Sequence, residues 1–312
     1  MKIVIVGAGA IGSLLAAYLL KSKEEILILE KTKERALKIN QNGINIESSS
    51  GNWKTKPKAT AELKDIENAD LVILTVKSYD TKETISRIKS VITDKTFVLT
   101  LQNGIGNVEN IAEFINPDKI IAGKTNIGAT FLELGKIRHA GKGETIIGTI
   151  DNKLPVEIRH IREVFNKAGL ETKISREIKG ILWSKLIIST GINALTAITR
   201  LENGKLIKLE GTKKILREAV TEALRVAKRK RIKLIYDDPL AKVESVCEAT
   251  ATNTSSMLQD VLRKKHTEVD YINGAIVRLA QELGMNAPVN SMLLDLIKTI
   301  ENSYDSSLET IK

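Results

Sequence analysis

Apolar and polar positions in the first half of the chain follow two alternating patterns, continuous apolar runs and amphipathic segments of helical period. Gly43 follows the second amphipathic segment and is its predicted stop. Since the apolar runs alternate with helices, they should form a parallel sheet with helices on both faces. The predicted strands are Lys2–Val6, Glu25–Glu30, Asp70–Val76 and Thr96–Leu101, and the predicted helices are Ile11–Lys21, Thr32–Asn42 and Thr81–Val91.

From residue 119 the segments become shorter, and from Arg176 the strand signals disappear. The short segments suggest an antiparallel extension of the sheet, with strands at Lys119–Ala122, Ala129–Glu133, Lys136–His139 and Thr145–Gly148, a helix at Glu157–Lys167 and a last strand at Glu171–Ile174. Later helices are predicted at Arg176–Thr199, Lys213–Arg231, Pro239–Ala251, Ser255–Leu283 and Ser291–Asn302. The sequence thus predicts an α/β domain over residues 1–175 and an all-helical domain over residues 176–312.

The composition is ordinary for a soluble globular protein, with 42% hydrophobic and 28% charged residues among 312. The single cysteine, Cys247, excludes a cysteine metal cluster, and the three dispersed histidines lack ligand spacing, so no metal is expected. The first apolar run ends at Gly7, too early for a signal peptide, and Ile11–Leu20 is too short to span a bilayer. We therefore expect a cytoplasmic protein with no membrane partner.

The net charge of +10 includes a basic cluster at Lys228–Arg231. Such a cluster can bind nucleic acid, but it can equally be the solvated face of a helix. It lacks interleaved aromatic residues and a nucleic-acid motif, so no nucleic-acid partner is expected. An anionic cofactor and an anionic substrate are sufficient partners for the positive charge.

A nucleotide-binding signature, G-x-G-x-x-G, follows the first strand and opens the first helix. Its first glycine permits a tight turn, its second lets the backbone approach a pyrophosphate, and its third lets helix and strand pack closely. The free N–H groups at the helix N-terminus can bind the anion. The predicted cofactor-binding residues are Gly7, Ala8, Gly9, Ala10, Ile11 and Gly12.

The end of the second predicted strand gives conflicting signals about the cofactor. Glu30 lies where an acid would bind the ribose 2′-hydroxyl of NAD. Lys31 and Lys33 follow it and could pair with the 2′-phosphate of NADP. The sequence leaves both cofactors open.

Two further strand ends should approach the nicotinamide, because ligands of open α/β sheets bind at the carboxyl ends of strands. Lys77 follows the third strand, and Asn103-Gly104 follows the fourth. The alternatives are a solvated loop lysine and an ordinary turn.

Lys185 and Glu268 are the candidate catalytic residues. Lys185 lies among Ile181, Leu182 and Ile188 on its helix, a setting that removes hydration and lowers a lysine pKa toward neutrality, as suits a general acid. The alternative is a lysine that extends past an apolar rim to solvent. Glu268 falls on the apolar side of the predicted helix over residues 253–274, although pairing with Lys264 at the surface is the alternative.

The chain resembles the ketopantoate reductases over nearly its whole length. The matching segments are GAGAIG, the lysine of TVKS, QNGIG, LWSKL with INALTAI, and NTSSMLQD with HTEVDYING. The resemblance implies an N-terminal Rossmann domain, a C-terminal helical domain like that of 6-phosphogluconate dehydrogenase, and an active site in the cleft between them. It also implies mostly NADPH-dependent activity, with NADH as the other cofactor.

The resemblance assigns roles to individual residues. Lys185 is the implied proton donor, and Glu268 holds substrate and lysine. Ser256 would bind the substrate carboxylate, and Asn253 and Asn193 would contact the substrate. Lys77 and Asn103 correspond to residues at the junction of cofactor and substrate, and Ser189 stands where some members have asparagine.

The implied reaction is hydride transfer to the ketone carbon of 2-dehydropantoate, which gives (R)-pantoate, a precursor of coenzyme A. One alternative is a related two-domain reductase of another 2-oxo acid or of a phosphorylated ketone. A second is a non-catalytic nucleotide-sensing Rossmann protein, which would not need Lys185 or Glu268. The oligomeric state is not revealed by the sequence, and a homodimer stays open.

Overall fold

The apolar runs of the first half form an eight-stranded sheet in the computed structural model, which describes residues 1–306. With the strands numbered in chain order as in the next sentence, the order across this sheet is β12-β11-β8-β7-β6-β1-β2-β5. The strands are β1 (Lys2–Val6), β2 (Glu25–Leu29), β3 (Ile44–Ser48), β4 (Trp53–Thr55), β5 (Lys58–Thr60), β6 (Leu71–Leu74), β7 (Phe97–Thr100), β8 (Ile120–Thr125), β9 (Gly128–Glu133), β10 (Lys136–Gly141), β11 (Thr145–Gly148) and β12 (Thr172–Ile174). β1 pairs in parallel with β2 and β6, and β6 with β7, so the predicted parallel sheet is confirmed.

The predicted antiparallel extension is wrong in part. β8 continues the parallel sheet beside β7, and all six of its residues are buried, as in a strand covered on both faces. β11 pairs antiparallel with β8 and so forms part of the predicted antiparallel extension, but β9 and β10 belong to a separate four-stranded sheet of order β4-β3-β10-β9. The sequence did not predict β3, β4 and β5, because these short segments contain polar and exposed positions and lack the continuous apolar runs of the central strands.

The predicted helices of the first half are confirmed, and Gly43 ends the second of them with a φ of +68°. These helices are α1 (Ala10–Leu19), α2 (Lys33–Asn42), α3 (Thr81–Ile88), α4 (Asn107–Ala112), which was not predicted, and α5 (Val156–Lys167). The later helices are α6 (Ile178–Thr199), α7 (Glu210–Arg229), α8 (Pro239–Ala249), α9 (Ser256–Leu262), α10 (Asn273–Glu282) and α11 (Pro288–Asn302).

The prediction of one long helix over residues 255–283 is wrong. The chain leaves α9 through Lys264, which has a φ of +52°, and the Lys265 N–H donates to the Asp260 carbonyl. The Glu301 carboxylate of α11 then accepts the Thr267 N–H at 2.7 Å. Since these contacts satisfy the backbone outside a helix, Glu268 lies in a loop before a short 3₁₀ turn at Val269–Tyr271.

The described residues form two compact units. The first consists of Met1–Gln102 and Asn107–Ile178, and the second consists of Asn103–Gly106 and the chain from Lys179 onward. A sequential division at residue 175 assigns the loop Asn103–Gly106 to the first domain, whereas the structure groups this loop with the helical unit. Helix α6 is long and apolar enough to cross a membrane, but 67% of its apolar window is buried, as is common for the core helix of a globular unit.

A buried polar network joins four helices of the second unit. The Glu222 carboxylate of α7 accepts the backbone N–H groups of Val289 and Asn290, each at 2.9 Å, at the N-terminus of α11. The Asn273 side-chain amide donates to Asn290 Oδ1 at 3.0 Å and to the Thr190 carbonyl of α6 at 3.2 Å. Because buried polar groups are costly without partners, these contacts fix the positions of α6, α7, α10 and α11.

Candidate active site

The loop between β1 and α1 has the backbone that a dinucleotide-binding loop requires. Gly7 has a φ of +95°, and its N–H donates to the Leu29 carbonyl at 2.9 Å. A Cβ on Gly12 would lie 2.5 Å from Thr75 Oγ1 and closer still to the Gly7 carbonyl, so helix and strand approach too closely for a side chain. A Cβ on Gly9 would meet no heavy atom within 4 Å.

The open space above Gly9 fits a pyrophosphate. Gly9 is the N-cap residue of α1 and offers no side chain to the helix terminus. Ala10 and Ile11 begin α1, and the first N–H groups of a helix have no partner within the helix. The residues present therefore fit the dinucleotide that the signature predicts.

The Glu30 carboxylate follows β2, and only 3% of its side chain is exposed. Its Oε1 accepts the Ala8 N–H at 2.6 Å, and its Oε2 accepts the Arg35 Nε–H at 2.5 Å. Sequence reasoning missed Arg35, because nothing in the pattern of α2 distinguishes it from the other charged residues of that helix. Glu30 therefore binds the glycine loop on one side and a guanidinium on the other.

Lys31 and Lys33, the other predicted phosphate-binding residues, both lie near carboxylates. Lys33 Nζ is 2.8 Å from Glu62 Oε1, and this hydrogen bond raises the pKa of Lys33. Burial raises the pKa of Asp80, and the nearby charge of Lys31 partly offsets that rise. The two lysines thus contribute positive charge beside β2, and the neighbouring carboxylates of Glu62 and Asp80 partly neutralise it.

The carboxyl ends of β6 and β7 are tied together by Gln102. Its side-chain amide donates to the Val76 carbonyl at 2.9 Å and to Thr81 Oγ1 at 2.7 Å. Lys77 directly follows Val76, so this bridge fixes the backbone that carries the predicted lysine. Lys77 is half-buried at the end of the sheet where ligands bind in open α/β folds.

Within the second unit, Asn103 bridges the two candidate catalytic residues. Lys185 Nζ donates to Asn103 Oδ1 at 2.9 Å, and Asn103 Nδ2 donates to Glu268 Oε2 at 3.2 Å. Glu268 is 5% exposed and Lys185 is half-buried. The predicted burial of Glu268 is confirmed, although a loop and not a helix places it. The Asn103 amide thus links two groups of different character. Lys185 is a cation that can deliver a proton, and Glu268 is a carboxylate held away from water.

The loop that carries Asn103 is fixed on the turn after Glu268. The Ile105 N–H donates to the Tyr271 carbonyl at 3.0 Å. Gly104 has a φ of +80°, and a Cβ there would lie 2.7 Å from Tyr271 Cβ and 2.8 Å from its carbonyl carbon. Glycine is therefore required at the position next to the bridging amide.

Helix α6 carries Lys185, Ser189 and Asn193 at four-residue intervals. All three are half-buried, whereas most other residues of the helix are buried. Residues four apart lie on one face of a helix, so these polar groups form one stripe. The structure thus brings the predicted lysine, serine and asparagine together on α6.

Of the other predicted residues, Ser256 begins α9 and Asn253 lies in the loop before it, and both are exposed. Thr196 Oγ1 of α6 donates to Ser255 Oγ at 2.6 Å, and this contact holds the start of α9 against α6 beyond Asn193. Sequence reasoning missed Thr196 and Ser255. The available signal was the N-cap pattern, since Ser255 Oγ accepts the Leu258 N–H at 3.1 Å.

Comparison with known proteins identifies the family. The ketopantoate reductase family PanE/ApbA matches residues 3–152, and its C-terminal part matches residues 177–301. The chain belongs to the ketopantoate reductase family. The 2-dehydropantoate 2-reductase of Pyrococcus horikoshii is 37% identical over 97% of this chain and 98% of its own length. That of Halobacterium salinarum is 32% identical over 96% of this chain and 98% of its own.

Solved structures agree with this membership. The ketopantoate reductase of Ralstonia eutropha JMP134 superposes with a TM-score of 0.90 at 30% identity, covering 97% of this chain and 99% of its own. A ternary complex of D-mandelate dehydrogenase with NADH and anilino(oxo)acetate gives 0.91 at 28% identity, covering 98% and 100%. The fold of the family is therefore also that of an enzyme named for another 2-hydroxy acid.

Proposed function

We propose that the chain is a cytoplasmic 2-dehydropantoate 2-reductase, which reduces 2-dehydropantoate to (R)-pantoate in pantothenate and coenzyme A biosynthesis. The contact of Lys185 with Asn103, and of Asn103 with Glu268, is the observation that carries the proposal. The curated relatives from archaea and bacteria support it, because they bear this activity in their names over nearly the full chain.

Lys185 is the proposed catalytic acid. The reduced nicotinamide, when bound, supplies the hydride that forms the new C–H bond at the ketone carbon. Lys185 Nζ stabilises the developing negative charge on the ketone oxygen and transfers its proton there, which completes the hydroxyl group. Asn103 orients the ammonium through its amide oxygen, and Glu268 holds the other end of that amide. Glu268 would also accept a hydrogen bond from the terminal hydroxyl of the substrate.

Four polar residues are proposed to contact the substrate around Lys185. Ser256 at the start of α9 would bind the substrate carboxylate, with Asn253 beside it in the preceding loop. Asn193 and Ser189 would contact the substrate from the stripe on α6. Ser189 is shorter than the asparagine of some members, so its hydroxyl would reach the substrate through a water.

Both nicotinamide cofactors are proposed to serve, with NADPH used at an unusually small preference over NADH or even at a reversed one. The glycine loop and the N-terminus of α1 would hold the pyrophosphate, and Lys77 would lie near the nicotinamide. Lys31 adds positive charge for a 2′-phosphate, whereas the Glu30 carboxylate lowers the preference for NADPH. The NADH named with D-mandelate dehydrogenase supports the use of NADH in this fold.

Oxidation of NADPH and of NADH with a panel of 2-oxo acids tests the proposal. We expect the highest kcat/KM with 2-dehydropantoate. The D-mandelate dehydrogenase likeness favours one competitor, an aromatic 2-oxo acid such as benzoylformate. A higher kcat/KM with benzoylformate would replace the proposed substrate. Absence of turnover with every acid, together with salt-dependent binding of nucleic acid, would instead favour the sensor alternative.

A further inference from the structure

All acceptor positions of the Glu30 carboxylate are occupied by protein donors. Oε1 accepts from the Ala8 N–H at 2.6 Å and from Arg35 Nη2 at 3.4 Å. Oε2 accepts from Arg35 Nε at 2.5 Å and from the Lys31 N–H at 3.3 Å. A carboxylate offers about four acceptor positions. Ribose hydroxyls could therefore bind Glu30 only if they displaced one of these donors.

Arg35 retains donors for a ligand while it holds Glu30. A guanidinium has five N–H donors, and Nε and Nη2 supply those that contact the carboxylate. The Arg35 side chain is 38% exposed, whereas that of Glu30 is 3% exposed. The guanidinium therefore connects a buried negative charge to the surface beside the glycine loop. Its charge is permanent, and its geometry suits phosphate oxygens.

We propose that Arg35 is the residue that determines cofactor choice, by binding the 2′-phosphate of NADPH while it neutralises Glu30. Without Arg35, the Glu30 carboxylate would repel that phosphate and accept the ribose hydroxyls of NADH. This inference rests on the proposed use of a nicotinamide dinucleotide, but it does not depend on which 2-oxo acid is reduced.

Arg35→Met tests the inference, because methionine keeps much of the side-chain length and removes the charge. Adenosine 2′,5′-bisphosphate and AMP differ only in the 2′-phosphate, and calorimetric titration of both into the purified protein measures its contribution. Loss of charged hydrogen bonds should weaken binding of the bisphosphate on the order of 10- to 100-fold and leave AMP binding unchanged or tighter. The ratio of kcat/KM for NADPH to that for NADH should fall to a similar extent.

Two further variants separate this role from a structural one. Lys33→Met removes a cation from the same helix start, one that pairs with Glu62, and should change the ratio of bisphosphate to AMP binding by less than about 3-fold. The second variant is Arg35→Met in a Glu30→Gln background. Glutamine carries no charge, so loss of Arg35 leaves no unpaired buried carboxylate that could destabilise the fold. There Arg35→Met should still weaken bisphosphate binding relative to Glu30→Gln alone.

An unchanged binding ratio in both Arg35→Met proteins, or an equal effect of Lys33→Met, would overturn the inference. The titrations contain no 2-oxo acid. A failure of the proposed reaction would therefore appear only in the turnover assay, and a failure of the inference would appear in the titrations.

Discussion

Replacement of Gly104 by alanine should disconnect the two catalytic candidates without altering either of them. The new Cβ would lie 2.7 Å from Tyr271 Cβ and closer still to the Tyr271 carbonyl oxygen, and ordinary contact begins near 3.4 Å, so the loop must move by at least about 0.7 Å. A shift of that size along the two hydrogen bonds would lengthen the 3.2 Å contact of Asn103 with Glu268 to about 3.9 Å and the 2.9 Å contact with Lys185 to about 3.6 Å. Both hydrogen bonds would be lost.

Steady-state oxidation of NADPH with 2-dehydropantoate measures the consequence. Misplacement of a catalytic group by close to 1 Å lowers rates by about 10²-fold, so kcat of Gly104→Ala should fall by that order. Alanine at a φ of +80° and the crowding against Tyr271 should together cost about 2 to 5 kcal/mol in the free energy of unfolding, measured by urea denaturation.

Gly284→Ala is the matched control within the same unit. Gly284 has a φ of +65°, but a Cβ there meets nothing within 4 Å, so its substitution adds backbone strain without a collision. It should lower stability by about 1 to 2 kcal/mol and keep wild-type kcat. If Gly104→Ala keeps more than half of wild-type kcat, or if both variants lose the same activity, the proposed dependence on the Asn103 bridge is refuted.

Four further substitutions are predicted. Lys185→Ala should lower kcat by about 10²-fold or more in the same assay, and retention of half the turnover would contradict its role as the acid. Glu268→Ala should mainly raise KM for 2-dehydropantoate with a smaller loss of kcat, whereas unchanged kinetics with a raised Tm would make the carboxylate a structural liability. Glu30→Ala should shift the kcat/KM ratio toward NADPH, because it removes a negative charge and releases the Arg35 guanidinium; the pairing with Arg35 keeps the shift below the value for an uncompensated like charge, about 4 kcal/mol at ~4 Å and a dielectric constant near 20, and an unchanged ratio would show that Glu30 does not act on the cofactor. Glu222→Ala should cost about 2 to 4 kcal/mol in urea denaturation, because it exposes the N–H groups of Val289 and Asn290 at the start of α11 to an apolar interior, and wild-type stability would contradict the capping role.

The parallel sheet could be predicted because its strands are apolar on both faces, and this property is visible in a single segment. The second sheet could not, because its central pair joins Ile46 of β3 to Ile137 of β10. Such a pairing depends on residues distant in the chain, and the sequence of neither segment indicates which strand it pairs with. For the same reason the break after α9 was missed: Glu301, which holds the Thr267 N–H, lies 34 residues further along.

The candidate site was predictable in its residue types and less so in its geometry. Lys185 and Glu268 were identified from an apolar helical setting and a family resemblance, yet the helix expected to place Glu268 does not exist. The bridge through Asn103 could not be deduced, since the sequence gives no distance between segments 82 and 165 residues apart. The ion pair of Arg35 with Glu30 could not be predicted either, because it produces no periodic pattern in the sequence.

The assignment of Asn103–Gly106 to the helical unit makes the two units inseparable by a single cut. The chain passes from one unit to the other after Gln102, Gly106 and Ile178. A fragment that starts at Lys179 would contain Lys185 and Glu268 but would lack the amide that connects them. The two units are therefore not interchangeable modules. If a gene fusion joined this helical unit to another nucleotide-binding domain, the new domain would have to provide the equivalents of Asn103 and Gly104. These two residues would have to lie in the loop that follows its strand equivalent to β7.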